Sequence, residues 1–156
     1  MGNLAAGNSA GGLFFGAFEM KNQSSSFDIS SFNAVADSEV GIDISMKLAN
    51  GDDSGVIFTV IGKHADAVQV WTKKMFQAMQ REEQMAKRRG KDAELLDIDK
   101  LREQNIEGAC VRVIGWKNVD QPFDKELLKS VLRKNPHWVE QITDESNDQA
   151  NFTKSN

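Results

Sequence analysis

Five residues near the start, Gly7-Asn8-Ser9-Ala10-Gly11, match the G-x-S-x-G pattern of a serine nucleophile elbow letter for letter. That chemistry needs a buried strand to deliver the serine and a helix to receive it, with an acid and a histidine following on a large sheet. Small residues precede this serine instead, and low complexity accounts for the match. Gly62-Lys63 looks like the end of a phosphate-binding loop, but the first glycine of that pattern falls on Ile57, so no such loop exists. The only histidines are His64 and His137. Each sits where a first helical turn is expected, facing solvent, and no spacing resembles a zinc site. The lone cysteine, Cys110, excludes an internal disulfide. Acidic pairs at Glu82 with Glu83, Asp97 with Asp99 and Asp144 with Glu145 have polar neighbours typical of a solvated face. General acid and base work would instead call for a buried pair with split pKa values. The residues point to no reaction, no cofactor and no metal.

The basic cluster Lys87, Arg88, Arg89 and Lys91, with Lys73, Lys74 and Arg81 upstream, is the candidate surface for an anion. It lacks interleaved aromatics and belongs to a protein of net charge −4 and pI near 5.2, which argues against a dedicated nucleic-acid binder. A helix end and its loop account for it, and an acidic protein surface is an equal match. The apolar run Leu13 to Phe18 is too short to span a bilayer and lacks the charged leader of a secretory signal. No membrane role is expected, and a cytosolic folding environment is the simplest reading.

The elements that must position these residues are organised around Gly62 to Gly90. Val68, Trp71, Met75, Ala78 with Met79, and Ala86 recur at three- and four-residue steps, which predicts an α-helix of about seven turns with one apolar stripe. Trp71 and Phe76 cannot share one narrow face, so the first half is apolar over a wide arc. The aromatic and methionine set Trp71, Met75, Phe76, Met79 and Met85 serves either as core or as an adaptable surface for an extended client. With Val68 and Trp138 these residues form the candidate protein-binding set.

Before that helix the period is two. Ile42, Ile44, Met46 and Leu48 alternate with polar residues, Asn50 to Gly55 is dense in turn formers, and Val56 to Ile61 is β-branched, which predicts a β-hairpin resting on the long helix. A helical turn is expected around Ser30 to Val35. Beyond the long helix, Glu94 to about Trp116 reads as helix, although Cys110 to Ile114 also fits a strand and Gly108 weakens a helix there. Gly115 to Asp120 reads as a turn. Asp124 is placed to cap the next helix, with Phe123 closing onto Leu128, and Asn135-Pro136 ends it and starts another that carries Trp138 and Ile142. The expected fold is α+β and mostly α, with an N-terminal β-hairpin, a long amphipathic helix and three to four further helices. Residues 1–26 form a flexible Gly/Ala/Ser-rich arm, with Met20 a plausible alternative start, 27–152 a single globular domain, and 153–156 a frayed tail.

With the elements in order, the chain resembles the tail assembly chaperones of tailed phages, small proteins encoded near the tail tube and tape-measure genes. The resemblance lies in Ser26-Phe27-Asp28-Ile29, Val60-Ile61-Gly62-Lys63 and Lys87-Arg88-Arg89. It continues through Gly115-Trp116 with Pro122-Phe123, Asn135-Pro136-His137-Trp138-Val139 with Gln141-Ile142, and Asp148-Gln149-Ala150-Asn151-Phe152. It covers roughly Ser26 to Phe152, each piece is short, and the order of the pieces carries it. The resemblance implies a mostly helical, non-enzymatic factor that escorts a tape-measure or tail tube protein in the host cytoplasm and often self-associates into a homo-oligomer. The glycine-rich arm departs from that pattern and points instead to a minor structural virion component. A small nucleic-acid-binding regulator using Lys87 to Lys91 is the third reading.

Overall fold

The computed structural model describes residues 26–90 and 97–153. The expected arm, the G-x-S-x-G match, Met20, Lys91 and the predicted helix start at Glu94 lie outside the described residues, as does 154–156. The chain divides into two compact units, Met1–Asn33 and Ala34–Asn156. Among the described residues of the first, a 3-10 turn, Ile29–Ser31, is capped by Asp28, whose carboxylate accepts the Ser30 amide at 3.0 Å. Phe27 meets Phe32 edge-on at 6.0 Å.

The second unit is α+β and mostly helical, with helices α1 (Ala34–Val40), α2 (Asp66–Arg88), α3 (Ile98–Arg112), α4 (Lys125–Lys134) and α5 (Pro136–Asn147). Strands β1 (Ile42–Lys47), β2 (Asp53–Val60) and β3 (Val113–Lys117) form one antiparallel sheet in the order β1-β2-β3. The alternation seen in the sequence sets the register: Ile42 opposes Val60 and Ile44 opposes Phe58, so the apolar members of both strands share one face. Gly51 takes a φ of 92° in the connecting turn, a conformation open to glycine at little cost. The opposite face is polar and solvated, where Thr59 donates to Asp43 at 2.7 Å and Lys117 pairs with the same carboxylate.

The apolar face is covered by α3, α4 and α5 rather than by the long helix, which corrects the expected resting place of the hairpin. Ile44, Met46, Phe58 and Val60 pack with Ile106, Ala109, Leu128, Leu132, Trp138 and Ile142 in one core. An amphipathic stripe fixes that a helix must be covered but not by what, and the three later helices present wider buried edges. Helix α2 instead seals only its first turns, through Ala65 and Val68 with Ile61. It begins where Gly62 passes Ser38 of α1 so closely that a Cβ on Gly62 would stand 2.6 Å from the Ser38 hydroxyl. The Glu39 carboxylate from α1 then accepts the Asp66 amide at the helix start.

The helix expected through Trp116 stops at Arg112 and passes directly into β3, with Phe58 opposite Trp116 and Val60 opposite Val113. The alternative strand reading of Cys110 to Ile114 is thus half right, and Gly115 to Lys117 is strand instead of turn. The free edge of β2 supplies ladder partners that no local pattern announces. Lys125 braces this junction: its ammonium donates to Cys110 O, which also accepts the Val113 amide, and, at 2.6 Å, to Val113 O of β3. Burial pushes the Lys125 pKa down. Lys125→Met should therefore lower stability by about 1–3 kcal/mol by removing the charge-assisted hydrogen bonds that join α3 to β3, read as a lower urea midpoint at unchanged slope.

Asp124 caps α4 as expected, accepting the Glu126 and Leu127 amides at 3.3 Å, while the Phe123 ring lies edge-on to Trp116 at 5.0 Å. Pro136 opens α5. That helix closes the exposed edge of β1 with side chains: Gln141 donates to Ser45 O at 2.8 Å and accepts the Lys47 amide at 3.1 Å. A final 3-10 turn, Gln149–Phe152, buries Phe152.

Carboxylates tie several of these elements together. Hydrogen bonds from Lys117 and Thr59 hold the Asp43 pKa below its ordinary value, and Arg133 does the same for Glu103 across α3 and α4. Because the folded pKa lies below the unfolded one, this stabilisation is complete above an unfolded pKa of about 4 and is lost as pH falls through the lower folded value. The urea midpoint should stay level from about pH 7 to 5 and drop below about pH 4, with Asp43→Asn flattening part of the drop.

Candidate functional site

The projecting pair of α2 and α3 holds most of the residues that the sequence singles out. Helix α2 is about 34 Å long at 1.5 Å per residue, and it packs antiparallel on α3, with Trp71 beside Gly108 at one end and Glu82 paired to Lys100 toward the other. Gly108, a weakness in a helix read alone, is what lets the helices meet: a Cβ there would stand 2.6 Å from the Trp71 ring. The Arg112 guanidinium lies over that ring, 5.6 Å from its centre, and donates to Gly108 O at 2.8 Å. Burial pushes the Arg112 pKa down. In the sequence Gly108 shows only as a weak point in a helix, and nothing local marks Arg112.

The candidate protein-binding residues separate into three groups. Val68 is 1% exposed and Trp138 is 8% exposed. Both belong to the interior, a correction to the expected surface. Trp138 is drawn inward because its ring meets Phe58 edge-on at 5.5 Å and its Nε1 donates to Lys47 O at 2.6 Å. Trp71 and Met75 are half-buried along the α2–α3 seam. Phe76, Met79 and Met85 stand 62%, 51% and 50% exposed, and α3 adds Ile98 and Leu101 at 70% and 41%. The position of Ile98 and Leu101 beyond the Glu103–Arg133 pair, which ties α3 to α4, has no local signature in the sequence.

The basic candidates Lys87, Arg88 and Arg89 are exposed at the end of α2, with Lys87 paired to Glu83 at 3.3 Å. His137 lies near Lys47 O at 3.1 Å, and Cys110 is 9% exposed, its thiol pKa pushed up by burial. An apolar cavity of about 200 Å³ lies between the sheet and α4, lined by Val56, Phe58, Trp116, Leu127, Val131 and Trp138. It gathers no ionisable group. Among the described residues no three His, Cys, Asp or Glu side chains converge as metal ligands, and no helix is long and apolar enough to cross a membrane. The chain matches no family model, no curated protein and no solved structure.

Proposed function

We propose that this chain is a non-enzymatic tail assembly chaperone that holds a helical tail protein, the tape measure or the tube subunit, in the host cytoplasm during morphogenesis. The observation that carries the reading is the set of uncovered apolar side chains on α2 and α3, Phe76, Met79 and Met85 with Ile98 and Leu101. Phe76, Met79 and Met85 are 50–62% exposed on a helix whose chief partner among the described residues is α3. Large apolar groups left uncovered around one helix favour contact with another polypeptide that wraps it, and thioethers repack against more than one shape. The order of short motifs from Ser26 to Phe152 adds the tail-assembly context.

The test is co-expression with the tape-measure protein from the same gene cluster. A soluble complex that co-purifies through size exclusion supports the reading; a tape measure that precipitates equally with and without the chain overturns it. Mass spectrometry of purified particles separates an escort, which is depleted from them, from a minor virion component, which is retained.

A further inference from the structure

The apolar cavity of about 200 Å³ is walled by side chains of β2, β3, α4 and α5, with Phe58, Trp116, Leu127, Val131 and Trp138 chief among them. Interiors packed as densely as organic crystals keep few voids larger than a water, so a space of this size needs an occupant or costs stability. Water does not suit it. A water held there needs about two to four polar partners, and both indole N–H groups of the lining are already committed to carbonyls. Trp116 Nε1 donates to Gln121 O at 2.8 Å, and Trp138 Nε1 donates to Lys47 O at 2.6 Å. A charged guest fares no better: the lining holds no carboxylate to meet a cation and no basic group to meet an anion. The rings themselves favour an apolar guest, since Phe58 already packs edge-on to Trp138 at 5.5 Å and tilted against Trp116 at 6.2 Å.

The connection from β3 to α4 completes the lining through Val119 and Gln121. It is fixed at two points, by the bond from the Trp116 indole and by Asn118, whose Nδ2 donates to Gly55 O at 3.2 Å. Asn118 takes a φ of 60°, a left-handed conformation uncommon outside glycine and best tolerated by asparagine. The loop therefore holds one path past the cavity instead of collapsing into it. Apolar cavities of about 150 Å³ stay dry and take up benzene, and this one is larger.

We propose that the cavity is a binding site for a small, uncharged, hydrocarbon-like molecule of about six to ten carbon atoms, enclosed by Phe58, Trp116 and Trp138. The inference is independent of the chaperone reading, because no side chain of α2 lines the cavity. It is tested by titrating the full chain with toluene while following the three indole N–H signals by NMR. The Trp116 and Trp138 signals should shift along one curve with a Kd of about 1 mM or below, and the Trp71 signal, from the α2–α3 seam, should stay in place. Tetramethylammonium, a cation of similar size, should bind at least about tenfold more weakly. Val131→Phe places a ring in the space from α4 and should abolish the toluene shifts; Val56→Leu fills it from β2 should the first variant misfold. Indole signals that do not move at toluene saturation would overturn the proposal. Tighter binding of the ammonium would overturn the uncharged class. Shifts that include Trp71 equally, or that persist in the filled variants, would mean adsorption elsewhere on the protein and would also overturn it. Should toluene fail while a purified protein partner moves the Trp116 and Trp138 signals, the cavity receives a side chain and the small-molecule site falls.

Discussion

Phe58→Ala should lower the unfolding free energy by about 3–5 kcal/mol, the range for removing a buried aromatic ring from a core that relaxes only in part. Phe58 is 2% exposed on the central strand, so its ring touches material from both ends of the chain. It is edge-on to Trp138 of α5 at 5.5 Å and tilted against Trp116 of β3 at 6.2 Å. It also lines the apolar cavity of about 200 Å³, which the substitution would enlarge instead of allowing to collapse. A domain of this size holds about 5–15 kcal/mol in all, so the loss should appear as a fall in Tm of about 10 °C or more. A fall of only a degree or two would mean that the sheet and α5 are not coupled through this ring.

The same ring shows how far the sequence reaches. The alternation Ile42, Ile44, Met46 against Val56, Phe58 and Val60 specifies a hairpin with one buried face, because a strand's side chains leave the backbone on alternate sides whatever surrounds it. Asn135-Pro136 is legible for a similarly local reason: proline fixes its own φ and biases the residue before it. The strand at Val113 to Lys117 is not legible in this way. Cys110, Val111 and Val113 fit a helix as well as a strand, and the choice falls to a partner, the open edge of β2, distant in sequence. The seat of the long helix escapes for the same reason. Its stripe declares a need for cover, while the cover comes from Gly108, whose absent side chain admits Trp71.

Candidate surface residues divide along this line too. Trp71 and Trp138 look equivalent in sequence, each one turn from another apolar residue. Trp138 is inside because Lys47 O waits to accept its indole proton and Phe58 to meet its ring, and Trp71 is half-buried because only α3 lies beneath it. Phe76 was distinguishable in advance, since it lies out of phase with Trp71 on a helix of fixed pitch. What periodicity cannot say is that α3 covers one side of α2 and leaves Phe76 uncovered on another.

Replacing Phe76 and Met85 together by glutamine should weaken binding of the tape-measure partner about 100-fold or more while leaving the fold intact. The two effects are separable because the side chains are 62% and 50% exposed and so contribute little to the core. Surface substitutions of that kind change stability by about 0.5 kcal/mol or less, and glutamine is a good helix former. Interface anchors that become fully covered on binding each cost about 1–3 kcal/mol on truncation, and about 2.8 kcal/mol already corresponds to a hundredfold in Kd. Phe58→Ala provides the opposite control, since it should weaken the fold first and binding only as the folded population falls. Unfolding curves matched to isothermal titration of the purified partner would distinguish the pair. Unchanged affinity in the glutamine variant would remove the uncovered side chains of α2 from the contact, and with them the observation on which the chaperone reading rests.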